Sequence, residues 1–188
     1  MKQFLIFVLF LINGLLSAQC PTSGNGKTEK EKQFNRLKNR EIVVKKGSAY
    51  ITIDSILKDG NDTARFKSSD YAYVYGYVVE IKDGDAESCN CNSEKDSDHD
   101  VHIYIGKTAT AKKQECLVVE ITPAFKRANP NFNYKELAGK KVKVKGFLFF
   151  DSEHIGNAKN TCKKCTNVWR KTAFEIHPVC SISIVNQI

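Results

Sequence analysis

Four short stretches of this chain hold residues whose types and spacing could do chemistry. They are Asp98, Asp100 and His102 in "DHDVHIYI", Glu120 in "VVEITP", Asp151 and His154 in "DSEH", and Glu175 and His177 in "FEIHPV". Histidine beside carboxylate is a donor set for a divalent cation, with imidazole favouring zinc and other transition metals and carboxylate favouring magnesium, calcium or manganese. His102, Glu120, His154, Glu175 and His177 are therefore the candidate metal ligands, and zinc, manganese or calcium the candidate ions. A cation with an open position activates water against an ester or phosphodiester, and Glu120 or Glu175 is then a candidate catalytic base. The same pairs have a second use: carboxylate and imidazole on adjacent strands satisfy each other's hydrogen bonds and fix the register. On that reading Asp98 and Asp100 cap a turn. No phosphate-cradling glycine loop is present.

The elements that must position these residues read as strands, in which successive side chains alternate between faces. Glu175 and His177 share one face and Phe174 and Ile176 the other. Val101, Ile103 and Ile105 oppose His102 and Tyr104, and Leu117, Val119 and Ile121 oppose Val118 and Glu120. A hairpin with equal arms around residue 111 sets His102 directly across from Glu120. Upstream, "DYAYVYGYVVEIKDGD" places Tyr71, Tyr73, Tyr75 and Tyr77 on one face, with Gly76 marking a bulge or bend. In "KKVKVKGFLFFDSEH" the apolar face is Val142, Val144, Gly146, Leu148 and Phe150. Pro123 ends the third strand, and the helix-like "NYKELAG" leads to the fourth. Five strands with a helix-like connection between the third and fourth predict an all-β fold, a small OB-fold-like β-barrel. An antiparallel sandwich is the alternative architecture. Ahead of the barrel, "EKEKQFNRLKNRE" predicts a short helix packing Phe34 and Leu37, and "AYITIDSIL" (49–57) an extra strand covering an edge.

A binding surface is the other functional class. The formal net charge of +8 favours anionic partners such as nucleic acid, an oligosaccharide or a lipid surface. Lys141, Lys143 and Lys145 alternate along one strand and, with Trp169 and Arg170, form the candidate patch for an anionic polymer. Phe147 and Phe149 continue that face, and the four tyrosines offer rings for stacking. The bland readings are a solvated lysine face and tyrosines covered by a neighbouring strand.

Lys2, the apolar run from Phe4 to Ile12 and the small residues Ser17 and Ala18 read as a secretory signal cleaved after Ala18, too short to span a membrane. A lipoprotein anchor at Cys20 is disfavoured because Gln19 precedes it. The division that follows is a signal peptide (1–18), a polar leader with a short helix (19–48) and a single barrel domain (49–188) in a periplasmic or secreted protein with no transmembrane segment. Export makes structural disulfides the expected state of the seven cysteines, ahead of a zinc site from "CNC" and "CKKC". The odd count leaves one thiol free or paired with another molecule.

Taken together, Asp98, Asp100, His102, Glu120, Gly146, Asp151, His154, Glu175, His177 and Pro178 follow the pattern D-x-D-x-H, then E, then G-x-x-x-x-D-x-x-H, then E-[IL]-H-P-V. Over roughly residues 50–185 the chain resembles a family of uncharacterised exported bacterial proteins with this pattern. The resemblance implies an OB-like secreted domain and brings no reaction with it. Three functions stand as expectations: binding of an anionic ligand or metal, divalent-metal-dependent hydrolysis, and a structural module of the cell envelope.

Overall fold

The structure, a computed structural model, describes residues 20–44, 46–60, 62 and 65–185, so the expected signal peptide and its cleavage point lie outside the described residues. The apolar alternation becomes six strands among these residues: β1 (Ala49–Tyr50), β2 (Tyr71–Asp83), β3 (Val101–Gly106), β4 (Leu117–Ile121), β5 (Lys141–Phe150) and β6 (Phe174–Ile184). β2 to β6 close into a barrel in the order β2-β3-β4-β6-β5 and back to β2, with β4 and β6 parallel and the other pairs antiparallel. This is the strand order of an OB fold. Closure depends on the length of β2: Tyr71 to Tyr77 pair with β5, and Tyr77 to Asp83 with β3.

Three α-helices accompany the strands: α1 (Glu29–Lys38), α2 (Ile53–Ile56) and α3 (Pro123–Ala128). The connection between the third and fourth barrel strands carries α3, which starts earlier than "NYKELAG". Pro123 both ends β4 and opens the helix, where its missing N–H costs nothing, and the Thr122 hydroxyl accepts from the Phe125 N–H. Tyr134–Leu137 is a 3-10 turn. The expected strand over 49–57 is corrected: only Ala49–Tyr50 pairs, alongside β2, and Thr52 then caps α2. A strand would send Ile53 and Ile56 to opposite faces. One helical turn brings both into the core, where they are 4% and 0% exposed.

The inward faces of β3, β4, β5 and β6 contribute Ile103, Ile105, Val119, Ile121, Val144, Leu148 and Ile176, all fully buried. Each such side chain stabilises the barrel by about 1.5–3 kcal/mol. Gly146 permits a close approach within this wall: a Cβ there would collide with the carbonyl of Pro178, where the register of β5 against β6 shifts. That shift carries β6 past Gly146 and holds His177 on the outer face of the barrel.

The disulfide expectation is met by two pairs, Cys20–Cys91 and Cys162–Cys165, while Cys89, Cys116 and Cys180 are buried thiols. Three thiols rather than one therefore stay reduced, and the sulfur of Cys20 is held by Cys91 rather than left for a lipid thioether. Among the described residues no helix is long and apolar enough to cross a membrane.

Candidate metal centre

Because Val101, Ile103, Val119, Ile121, Phe174 and Ile176 point into the core, the residues between them on β3, β4 and β6 emerge together on the outer wall. His102 is paired with Glu120 across β3 and β4, as the hairpin predicts. The parallel register of β4 with β6 places Val118 beside Glu175 and Val119 beside Ile176, so Glu120 meets His177 one step on. Glu120 Oε1 lies 3.2 Å from His102 Nε2, and Glu120 Oε2 lies 2.7 Å from His177 Nδ1. Asp100, just before β3, brings Oδ2 to 3.7 Å from His177 Nε2.

This outer wall is not open to water. The segment before α1 is tied to the 84–100 loop by Cys20–Cys91, and the Asn39 amide donates to the carbonyls of Thr22 and Cys89. Phe34 of α1 lies against Phe149 at 5.0 Å between ring centroids, and Phe149 against His177 at 5.5 Å. Lys38 is buried and donates to Glu87 Oε2 at 2.6 Å. Arg40 donates to the backbone carbonyl of His177 at 2.8 Å and covers the ring of Phe147. As a result Asp100, Glu120, Glu175 and His177 are all buried, while the side chain of His102, beside Glu120, keeps 20% exposure.

The electrostatics follow from this burial. Burial alone would raise Glu120, but the imidazoles of His177 and His102 outweigh it and hold the carboxyl well below its ordinary range. Burial pushes Asp100 up to about 6, with His177 opposing the rise and Glu120 adding to it. Burial and the neighbouring Glu120 raise Glu175 well above the carboxylate range. Burial works against charge on His102 and Lys38 as well, but Glu120 raises the first and Glu87 and Glu120 the second.

Two groups therefore form where five candidate ligands were expected. Asp100, Glu120 and His177 offer ligand atoms within 4.8 Å of one another, as do Asp151, His154 and Glu175. His102 borders the first group through Glu120. Several buried atoms in these groups have no hydrogen-bond partner: Glu120 Oε2, both oxygens of Glu175 and both ring nitrogens of His177. Leaving such atoms unmet costs about 1–3 kcal/mol each. A neutral His177 has one N–H to give, so the carboxylate oxygens outnumber the donors, and such a set suits a cation.

Sequence reasoning missed Asp100 as a ligand because it reads as a turn residue. It also missed Glu87 and Cys89, which form a third close group with Asp100, and Lys38, because loop and helix residues carry no strand alternation to place them. Asp98 stays outside the groups, accepting from the Ser93 hydroxyl at 2.8 Å. The proposed lysine patch is changed too. Arg170 is buried, donates to the carbonyls of Thr172 and Phe174, and lies 3.6 Å from Asp151 and 3.7 Å from Glu175, so it offers nothing to a surface ligand. Phe147 and Phe149 are buried as well. Trp169 stands edge-on to Tyr104 and His154. Lys141, Lys143 and Lys145 remain half-exposed, paired in register with Tyr77, Tyr75 and Tyr73. No protein-family model, curated protein or solved structure matches the chain, and the reading of this centre rests on its geometry.

Proposed function

We propose that this barrel binds a divalent transition-metal ion through Asp100, Glu120 and His177, with His102 beside them. The observation that carries the reading is the approach of Glu120 Oε2 and His177 Nδ1 to 2.7 Å without hydrogen-bond alignment, next to Asp100, in a place closed to water. Imidazole with two carboxylates favours zinc or manganese over calcium. The closure of the site supports binding rather than turnover. A hydrolytic role would need substrate to enter from the side of His102, and ester and phosphodiester assays of the metal-loaded protein test it.

Of the residues in the exported-family pattern, Asp100, Glu120, Asp151, His154, Glu175 and His177 make up the two groups and His102 borders the first. The two disulfides support an oxidising compartment. A second reading, an anionic-polymer surface, rests on the register of three lysines against three tyrosines on β5 and β2.

The deciding experiment is elemental analysis of the purified protein after incubation with zinc, manganese and calcium, with Asp100→Asn and His177→Ala beside it. Bound zinc or manganese that falls in both variants is the expected result. A wild-type protein that retains no metal overturns the proposal and leaves a network held by shared protons.

A further inference from the structure

We infer that the barrel carries a second divalent-cation position, formed by Asp151, His154 and Glu175 next to the first. The inference rests on the metal reading above and extends it from one ion to two. Asp151 ends β5, His154 follows in the 3-10 turn Ser152–Asn157, and Glu175 comes from β6. Their ligand atoms lie within 4.8 Å of one another. Asp151 Oδ2 already contacts His154 Nδ1. Glu175 is completely buried and neither of its oxygens has a hydrogen-bond partner.

The two groups meet at Glu175, which pairs with Val118 of β4 and Phe149 of β5 and so stands between Glu120 and Asp151, each two residues further along the chain. A carboxylate between two cations is the arrangement that lets them approach closely. Charge leaves room for a second cation. Glu87, Asp100, Glu120, Asp151 and Glu175 face two permanent cations, Lys38 and Arg170. With every one of these carboxyls ionised three negative charges are left over, and one divalent cation balances two of them. The remainder is met by a proton on Glu175 or by a second cation. Arg170 gives its hydrogen bonds to backbone carbonyls and stands 3.6 Å from Asp151 and 3.7 Å from Glu175, so an ion at this position shares these carboxylates with the guanidinium. The His154 side chain is 38% exposed, so this group has a face toward solvent from which an ion can enter.

Stoichiometry separates the possibilities. The chain is stripped with chelator, reloaded with manganese, desalted and measured by elemental analysis, with His154→Ala, Glu175→Gln and His177→Ala in parallel and circular dichroism to confirm folding. Two ions in the wild type, falling to one in His154→Ala and in Glu175→Gln, is the expected result. A spin-coupled manganese signal in electron paramagnetic resonance, lost in His154→Ala, would support the shared carboxylate. One ion in the wild type, unchanged in His154→Ala but lost in His177→Ala, overturns the second position and keeps the first. No ion in any protein overturns both. Two ions that persist in His154→Ala overturn the location assigned here.

Discussion

Glu120 and Glu175 lie on neighbouring strands, are both buried, and are driven in opposite directions, the first toward the carboxylate by two imidazoles and the second toward the acid by burial and by Glu120 itself. Asp100 is the third member, raised to about 6. A carboxyl whose native pKa is raised binds protons more tightly folded than unfolded, so stability falls as pH rises between the two values. For Asp100 that window runs from the ordinary 3.8 to about 6. The penalty, complete above pH 6, is on the order of 3 kcal/mol. Glu120 has the opposite sign: its contribution is present above its ordinary 4.5 and is lost as pH falls through its lowered native value. Urea midpoints of the metal-free protein, measured between pH 4 and 7, should therefore fall with rising pH relative to Asp100→Asn. Added zinc should reverse the trend, because the cation binds the deprotonated form. Parallel curves for the two proteins would remove Asp100 from the account. At this scale His102, Glu120 and His177 were legible in the sequence, because each stands between core residues of a strand whose alternation fixes its face. Asp100, Glu87 and Cys89 were not, since they sit where no periodicity says which way a side chain points.

The strands alone would leave this cluster on an open barrel wall, and its burial comes from α1 and the 84–100 loop. Thr28 and Glu31 form a capping box that holds α1 together despite its few apolar residues. Phe34 then packs on Phe149, and Cys20–Cys91 joins the segment before the helix to the loop, across 71 positions of sequence. A crosslink spanning that much chain contributes about 2–4 kcal/mol. The paired variant Cys20→Ser with Cys91→Ser should lower the thermal midpoint by several degrees, and it should also release bound metal to a chelator faster than the wild type. An unchanged release rate would mean that the cover does not control access to the centre. The barrel strands were legible because an apolar residue at every second position admits one reading. The helix α2 was not, because Ala49, Ile51 and Ile53 also alternate, and only the capping of Thr52 and the gain from burying Ile53 and Ile56 together turn the chain into a helical turn. The cover itself was visible only as a marginal helix, since contacts made at long sequence separation leave no local pattern.

For the whole molecule, charge and topology give two faces with different uses. The wall of β3, β4 and β6 concentrates carboxylates beneath α1, whereas β2 and β5 present Tyr73, Tyr75 and Tyr77 opposite Lys145, Lys143 and Lys141 in a chain of formal charge +8. The lysines are partly engaged: Lys143 Nζ lies 4.3 Å from the centroid of Tyr73, and Lys141 Nζ 5.8 Å from that of Tyr77. Tyr50 of β1 adds a further exposed ring beside Tyr73 and Tyr75. An ammonium resting on a ring is already partly compensated, with a cation–π contact worth about 0.5–1 kcal/mol at exposed sites, so a polyanion must compete with the tyrosines for it. Binding of a single-stranded oligonucleotide, used as a generic polyanion, should therefore be weak and steeply dependent on salt. If the lysine row is the contact surface, replacing Lys141, Lys143 and Lys145 by glutamine should flatten the logarithmic salt dependence by about 2, the change expected for three backbone contacts on a single strand. The same triple variant should retain its full complement of metal, because none of the three lysines belongs to the cluster. A salt slope that survives the substitutions would assign polyanion binding to the net charge of the chain rather than to this face, and a loss of metal would show that the two faces are coupled through the barrel.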